Sequence, residues 1–290
     1  MRAAAALKQD LEMTRTLGDI VDVLKTAATI QFRSFQMKQK ANEFFFKELD
    51  ECFKLLLAKQ VTHPYLFERK ALPTATLVIT SDEGFLGELN TVLVNTALDQ
   101  KRQAKDEVIV MGERGARYLE DMNQSLMSFP GISDQLNYLE AEKIRDYLIK
   151  GYHRRFGRIL IVYPEFISLT SQRVTLLQLL PWAESLSDKG KDNLTPSASL
   201  LSELMIEPDI KSVLEVIIEL WTAFKLQDIF WSSKQAEFAA RIMHLEGSTQ
   251  ELGHLTHKLA FEYFRQVHAL KDKVIREISA SKILLSKQKG

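Results

Sequence analysis

Helix breakers are confined to the middle of this chain, and that confinement limits its fold more than any other feature. All seven prolines lie between residues 64 and 208, as do eight of the twelve glycines. Proline costs roughly 3 kcal/mol and glycine about 1 kcal/mol inside a helix, so both ends can sustain unusually long helices. Residues 1–63 hold one glycine, Gly18, and residues 209–290 hold no proline, with Gly247 and Gly253 as their internal glycines. The expected organisation is a long N-terminal helix over 1–63, an α/β domain over 64–208 and a long C-terminal helix over 209–290.

Apolar spacing agrees with long helices. In the C-terminal arm Leu252, Leu255, Leu259, Tyr263, Val267, Leu270, Val274 and Ile278 recur at steps of three or four, along one face. Their mean step is longer than a strict heptad, which predicts a pairing stripe on nearly straight helices and not a tight zipper. In the N-terminal arm Leu7, Leu11, Leu17, Ile20, Leu24, Ala27 and Ala28 make a comparable face, which Phe32, Phe35, Phe44, Phe45, Leu55 and Leu56 continue. A lone helix of about 70 residues would run about 105 Å, with one side too apolar to stand in water. Antiparallel pairing of the arms buries both stripes. Periodicity alone leaves open a bundle folded back at Gly18, Gly247 or Gly253.

The middle segment alternates strand and helix patterns. "TATLVIT" (74–80), "EVIVMG" (107–112), "SLMSFPG" (125–131), "RILIVYPEF" (158–166) and "QRVTLLQLLPW" (172–182) are strand candidates by β-branched content and turn boundaries. Between them "NTVLVNTALDQKRQ", "ERGARYLEDM" and "YLEAEKIRDYLIKGYHRRF" have helical spacing, and residues 184–199 form a polar loop. Such alternation predicts a largely parallel sheet with helices on its faces. The fold class is therefore α/β: a long antiparallel helical coiled coil plus a small, central Rossmann-like domain.

Charge and cysteine content exclude several functions. Lys plus Arg equals Asp plus Glu at 38 each, so the whole chain lacks the positive field that nucleic acid or an anionic membrane surface would attract. Lone Cys52 permits neither an internal disulfide framework nor a Cys-x-x-Cys zinc site, and fits a reducing compartment. No apolar run is long enough to span a bilayer, and the opening "MRAAAALKQDLE" has no signal-peptide core. His254 and His257 with Glu251 lack the His-Glu-x-x-His pattern and read as surface or interhelical residues. No Gly-x-Ser-x-Gly elbow is present. No catalytic, cofactor or metal residue is expected.

The loop "SDEGFLGELN" (81–90) poses the sharpest question. A strand, a glycine-containing loop and a helix can cradle a phosphate. Here the glycines stand three apart among Asp82, Glu83 and Glu88, which would repel one, and no Gly-Lys-Ser/Thr follows. The alternative is a tight turn in which Asp82 or Asn90 caps the following helix.

The same loop resembles a segment of the F-type ATP synthase gamma subunit family that usually reads Ser-Asp-Arg/Lys-Gly-Leu-Cys-Gly-Gly-Leu-Asn. Ser81, Asp82, Gly84, Gly87, Leu89 and Asn90 match; Glu83, Leu86 and Glu88 depart. "EPDIKSVLEVIIELW", opening with Glu207 and Pro208, is similar to the start of that family's C-terminal helix. In "KQAEFAARIMHLEGST" the matches are Glu237, Ala240, Arg241, Met243 and Thr249, and the N-terminal arm keeps the family's character at Lys8, Leu11, Ile20, Leu24 and Ala28. Asp19 and Asp22 stand where the family is lysine-rich, and its Arg-Gln pair aligns with Val267-His268, two residues after Arg265-Gln266.

The resemblance implies a non-catalytic rotor shaft. Its paired helices would sit inside a hexamer of alpha and beta subunits, and its α/β domain beside the epsilon subunit and the c-ring. It further implies a peripheral protein at the cytoplasmic face of a bacterial inner membrane, touching the membrane through the complex. Lys25, Arg265, Gln266 and His268 are then candidate polar contacts, Leu24 an apolar bearing contact, and Ile283, Leu284 and Leu285 residues near the shaft tip. A gamma-like paralogue in a specialised assembly and a small-molecule or nucleotide enzyme on the α/β domain are the competing readings.

Overall fold

A computed structural model describes residues 2–37, 48–49, 52, 56, 63–124, 127–133, 138–182 and 206–287. The expected residues Phe44, Phe45 and Leu55 and the polar loop 184–199 lie outside them. The chain divides into two compact units, residues 1–27 with 242–290, and residues 28–241.

The larger unit is a doubly wound sheet. Its strands are β1 (Thr74–Ile79), β2 (Glu107–Met111), β3 (Met127–Phe129), β4 (Arg158–Ser168) and β5 (Ser171–Leu180). Interleaved helices are α2 (Leu89–Asp99), α3 (Glu113–Asp121) and α4 (Tyr138–Arg154). The order is β3-β2-β1-β4-β5, parallel except for the antiparallel pairing of β4 with β5. Parallel strands covered on both faces read as continuous apolar runs, and their two-residue period divides the side chains. Leu77, Ile79, Ile109, Met111, Ile159 and Ile161 join one core with Ile144, Leu148 and Tyr152 of α4. Val78, Val108, Val110 and Val162 point the other way, against Leu93, Val94 and Ala97 of α2 and Leu119 of α3.

Two long helices flank this domain in sequence: α1 (Arg2–Gln36) and α5 (Ile210–Lys287). Within the larger unit α5 completes the first core with Leu214, Ile218, Trp221, Leu226, Ile229 and Phe230. Asp209 starts it, its Oδ1 accepting the N–H groups of Lys211 at 2.8 Å and Ser212 at 3.0 Å. Phe35 of α1 packs on Trp231 and Phe238 at ring distances of 4.9 and 5.4 Å.

In the smaller unit the two helices pair antiparallel. Lys25 Nζ donates to Glu246 at 3.1 Å, and Thr249 Oγ1 donates to Asp22 Oδ1 at 3.2 Å, so three steps back along α1 match three forward along α5. The covered face of α1 runs Leu7, Leu11, Thr14, Gly18, Val21, Lys25, and that of α5 runs Leu245, Thr249, Leu252, Thr256, Leu259, Tyr263. Both alternate steps of three and four, the heptad spacing of a coiled-coil seam.

This corrects the face expected from hydrophobicity. Leu17, Ile20 and Leu24 are exposed at 42, 51 and 39 %, Leu255 at 44 %, and Val274 and Ile278 at 52 % each. Ala27 is exposed as well. The seam holds a 3.5-residue period, whereas the longer period chosen by apolar residues drifts onto the neighbouring faces. Threonines can occupy the seam because Thr14 and Thr256 donate within their own helices, to Asp10 O at 2.8 Å and Leu252 O at 2.7 Å. Among the described residues no helix is long and apolar enough to cross a membrane.

Candidate functional site

The loop after β1 ties the sheet together through its own oxygens. Helix α3 begins with three N–H groups that have no partner inside the helix. Those of Glu113, Arg114 and Gly115 donate to Asp82 Oδ1 at 2.9 Å, Ser81 O at 3.0 Å and Thr80 Oγ1 at 3.2 Å. Asp82 Oδ1 also accepts the Gly131 N–H at 3.1 Å. A helix N-terminus is where α/β proteins hold a phosphate, and here the chain's own carboxylate is the anion.

Asp82 therefore caps α3 and not the following helix α2. Nor does Asn90 cap α2: its Oδ1 accepts the Ser81 N–H at 3.2 Å and its Nδ2 donates to Ser81 Oγ at 2.9 Å. Glu88 precedes α2 without a side-chain capping bond. The turn itself needs left-handed backbone at Phe85 (φ 64°) and Gly87 (φ 58°), a conformation glycine adopts without strain.

Strand order reverses between β1 and β4, the switch point outside whose carboxyl ends open α/β sheets bind ligands. That crevice is lined by Thr80, Ser81, Leu86, Asn90, Ser233 and Glu237, leaving about 10 Å³, room for one water molecule. Side chains of the loop and of α5 fill the place of a ligand. Glu237 faces it while paired to Arg241 at 2.7 Å and Lys234 at 3.1 Å. Arg241 also reaches Glu83 at 3.2 Å and donates to Gly84 O at 3.4 Å. Glu83, acidic where the resembled pattern is basic, is thus a second counter-ion for Arg241.

The remaining candidates lie mainly on the two helices. Lys25 is engaged by Glu246 and Asp22, each at 3.1 Å, and these bonds, Glu246 first, raise its pKa. Asp22, a departure from the family's lysines, is thereby one end of a cross-link. Leu24, Met243, Arg265, Gln266 and His268 are exposed, as are His254, His257 and Glu251, and no metal-ligand group occurs among the described residues. Ile283, Leu284 and Leu285 belong to α5, with side chains outside the described residues. Glu207 and Pro208 are exposed just before α5.

Apart from Leu24, sequence reading did not single out the outer apolar residues of the two helices as contacts. On α1, Met13 (63 %), Val23 (68 %) and Ile30 (64 %) are exposed along with Leu17, Ile20 and Leu24; on α5, Phe261 (68 %), Phe264 (57 %) and Ile275 (61 %) are exposed. Apolar residues out of phase with the pairing stripe were the available signal. A filled crevice in the α/β unit, and in the smaller unit a helix pair with apolar residues outside its seam, define the class: a chain that combines a doubly wound sheet with a pair of long helices.

The chain belongs to the ATP synthase family, whose model matches residues 3–280. It is 24 % identical over 284 residues to the ATP synthase gamma chain of Desulfitobacterium hafniense, covering 96 % of this chain and 97 % of that one. To the gamma chain of Rhodopirellula baltica it is 26 % identical, covering 91 and 93 %. Its fold is similar to a chain of the Euglena gracilis mitochondrial ATP synthase (OSCP/F1/c-ring, rotational state 3), with TM-score 0.72, 16 % identity and coverage of 99 and 96 %. A chain of the Tetrahymena thermophila ATP synthase central stalk and c-ring gives TM-score 0.59 at 17 % identity, covering 79 and 99 %.

Proposed function

We propose that this chain is the gamma subunit of a rotary F-type ATP synthase, the central-stalk rotor that couples ion-driven rotation of a c-ring to conformational change in a hexamer of alpha and beta subunits. The observation that carries the reading is the two-sided apolarity of the arm. Its seam is filled by the partner helix, yet Met13, Leu17, Ile20, Leu24, Phe261 and Phe264 remain exposed on other faces. Surface of that kind is characteristic of interaction sites, and a surrounding sleeve of alpha and beta subunits supplies the cover. Gamma-chain relatives and stalk-like folds support the same conclusion.

The chain acts by differential contact. Rotation brings a different face of the arm to each beta subunit, and only a difference in interaction free energy between two conformations can shift their balance. Leu24, Arg265, Gln266 and His268 are the contacts assigned to that surface, with Ile283, Leu284 and Leu285 toward the tip. Catalysis then resides in the beta subunits and ion choice in the c-ring. The α/β unit lies beside epsilon and the c-ring, and the protein is peripheral at the cytoplasmic face of a bacterial inner membrane. Glu83 and Glu88 favour a second version, a gamma-like rotor of a specialised rotary ATPase.

The test is affinity purification of the tagged chain from native membranes. Stoichiometric recovery of alpha, beta, epsilon and c subunits is expected. Recovery of none of them, or tight saturable nucleotide binding by the chain alone, would sink the rotor.

A further inference from the structure

Charge is buried where the β1–α2 loop meets α5. Arg241, Glu237 and Lys234 keep side-chain exposures of 7, 10 and 8 %, whereas Glu83 is 71 % exposed. One buried carboxylate is shared by two buried cations, and Glu83 brings a further negative charge to the guanidinium. Its carboxylate stays solvated on its outer side, so the desolvation that weakens buried ion pairs falls lightly on it. Arg114 also lies against the loop, its Nη2 3.0 Å from where a Cβ on Gly84 would stand. Two guanidiniums thus approach the turn at Gly84, and Glu83, the residue before it, carries the loop's carboxylate to Arg241.

We propose that Glu83 is a positioning residue: through Arg241 it latches the β1–α2 loop to α5 and sets the rotational register of that helix against the sheet. This rests on the rotor reading for its consequence, since a shaft passes on rotation only if it cannot slip against its base. Burial of Leu86, which lines the switch-point crevice with Ser233 and Glu237 of α5, resists separation but is non-directional. A charge-assisted bond from a planar guanidinium selects one orientation. With the basic residue usual in the resembled pattern, this position would add a third cation beside Arg241 and Arg114, and the loop would be pushed from the helix.

The experiment compares Glu83→Arg, Glu83→Gln and Glu83→Asp in the assembled complex. Amide hydrogen exchange over residues 84–89 is expected to accelerate about ten-fold in Glu83→Arg and less in Glu83→Gln, while β1 is unchanged. Ions pumped per ATP hydrolysed should fall about three-fold in Glu83→Arg with hydrolysis itself nearly retained, and Glu83→Asp should restore most of the ratio. A loop in Glu83→Arg that exchanges as in the wild type overturns the latch, and an unchanged pumping ratio overturns its role in register. If the chain assembles with no rotary partner, the rotor reading fails, and exchange measured on the chain itself decides the latch.

Discussion

Asp82 holds more of the α/β unit than its exposed position suggests. One carboxylate oxygen serves the first N–H of α3 and the N–H of Gly131, in a helix-terminal position that favours negative charge. Asp82→Ala is expected to cost about 0.5–2 kcal/mol, the range of a lost N-cap, measured as a shift in urea midpoint with unchanged slope. Asp106 acts likewise before β2. Burial alone would raise its pKa, but the N–H groups of Thr74, Gln103 and Arg102 at 2.8–2.9 Å overcome burial and hold it below the usual value. A depressed folded-state pKa contributes stability above the unfolded value near 4 and loses it as pH falls through the folded one. Asp106→Asn should therefore destabilise by about 1–2 kcal/mol at pH 7, with the difference from wild type shrinking below about pH 4 in denaturation curves taken across that range.

At the scale of elements, the same substitution has opposite signs in the two units. Gly18 and Gly253 lie inside helices of the arm, and a Cβ added at either meets nothing within 4 Å. Gly18→Ala and Gly253→Ala should each stabilise by about 0.5–1 kcal/mol through helix propensity and a less flexible unfolded chain. Gly112 sits at φ 102° with Thr80 O 2.5 Å from the position of a Cβ, so Gly112→Ala should instead lower the thermal midpoint by several degrees. Thermal scans of the three variants decide both signs. The strands and the helices of the sheet unit were legible in sequence because β-branched runs and Gly or Pro punctuation are local signals. The seam was not, since Thr14, Gly18 and Lys25 are poor predictors of burial and owe theirs to the opposite helix.

At the scale of the whole molecule, the outer ridge separates folding from assembly. Leu17, Ile20 and Leu24 are exposed on α1, so replacing all three by Gln should change chain stability by no more than about 0.5 kcal/mol per site. Assembly with alpha and beta subunits should fall about ten-fold or more if the ridge is a central contact, read as the fraction of tagged chain recovered in the complex. Full recovery would remove Leu24 and its neighbours from the bearing surface. Lys25 belongs to a different account, because its ammonium already bridges α1 and α5.

The linear sequence by itself determined that both ends are long helices and that the middle is a wound sheet. It did so because proline and glycine act on their own residue, and side-chain periodicity acts within a few residues. Tertiary structure decided which helix faces meet, that Asp82 caps α3, and that Glu237, Ser233 and Leu86 fill the switch-point crevice. Those outcomes depend on groups 31 or more residues apart, as Asp82 and Glu113 are, whose proximity is set by packing and not by propensity.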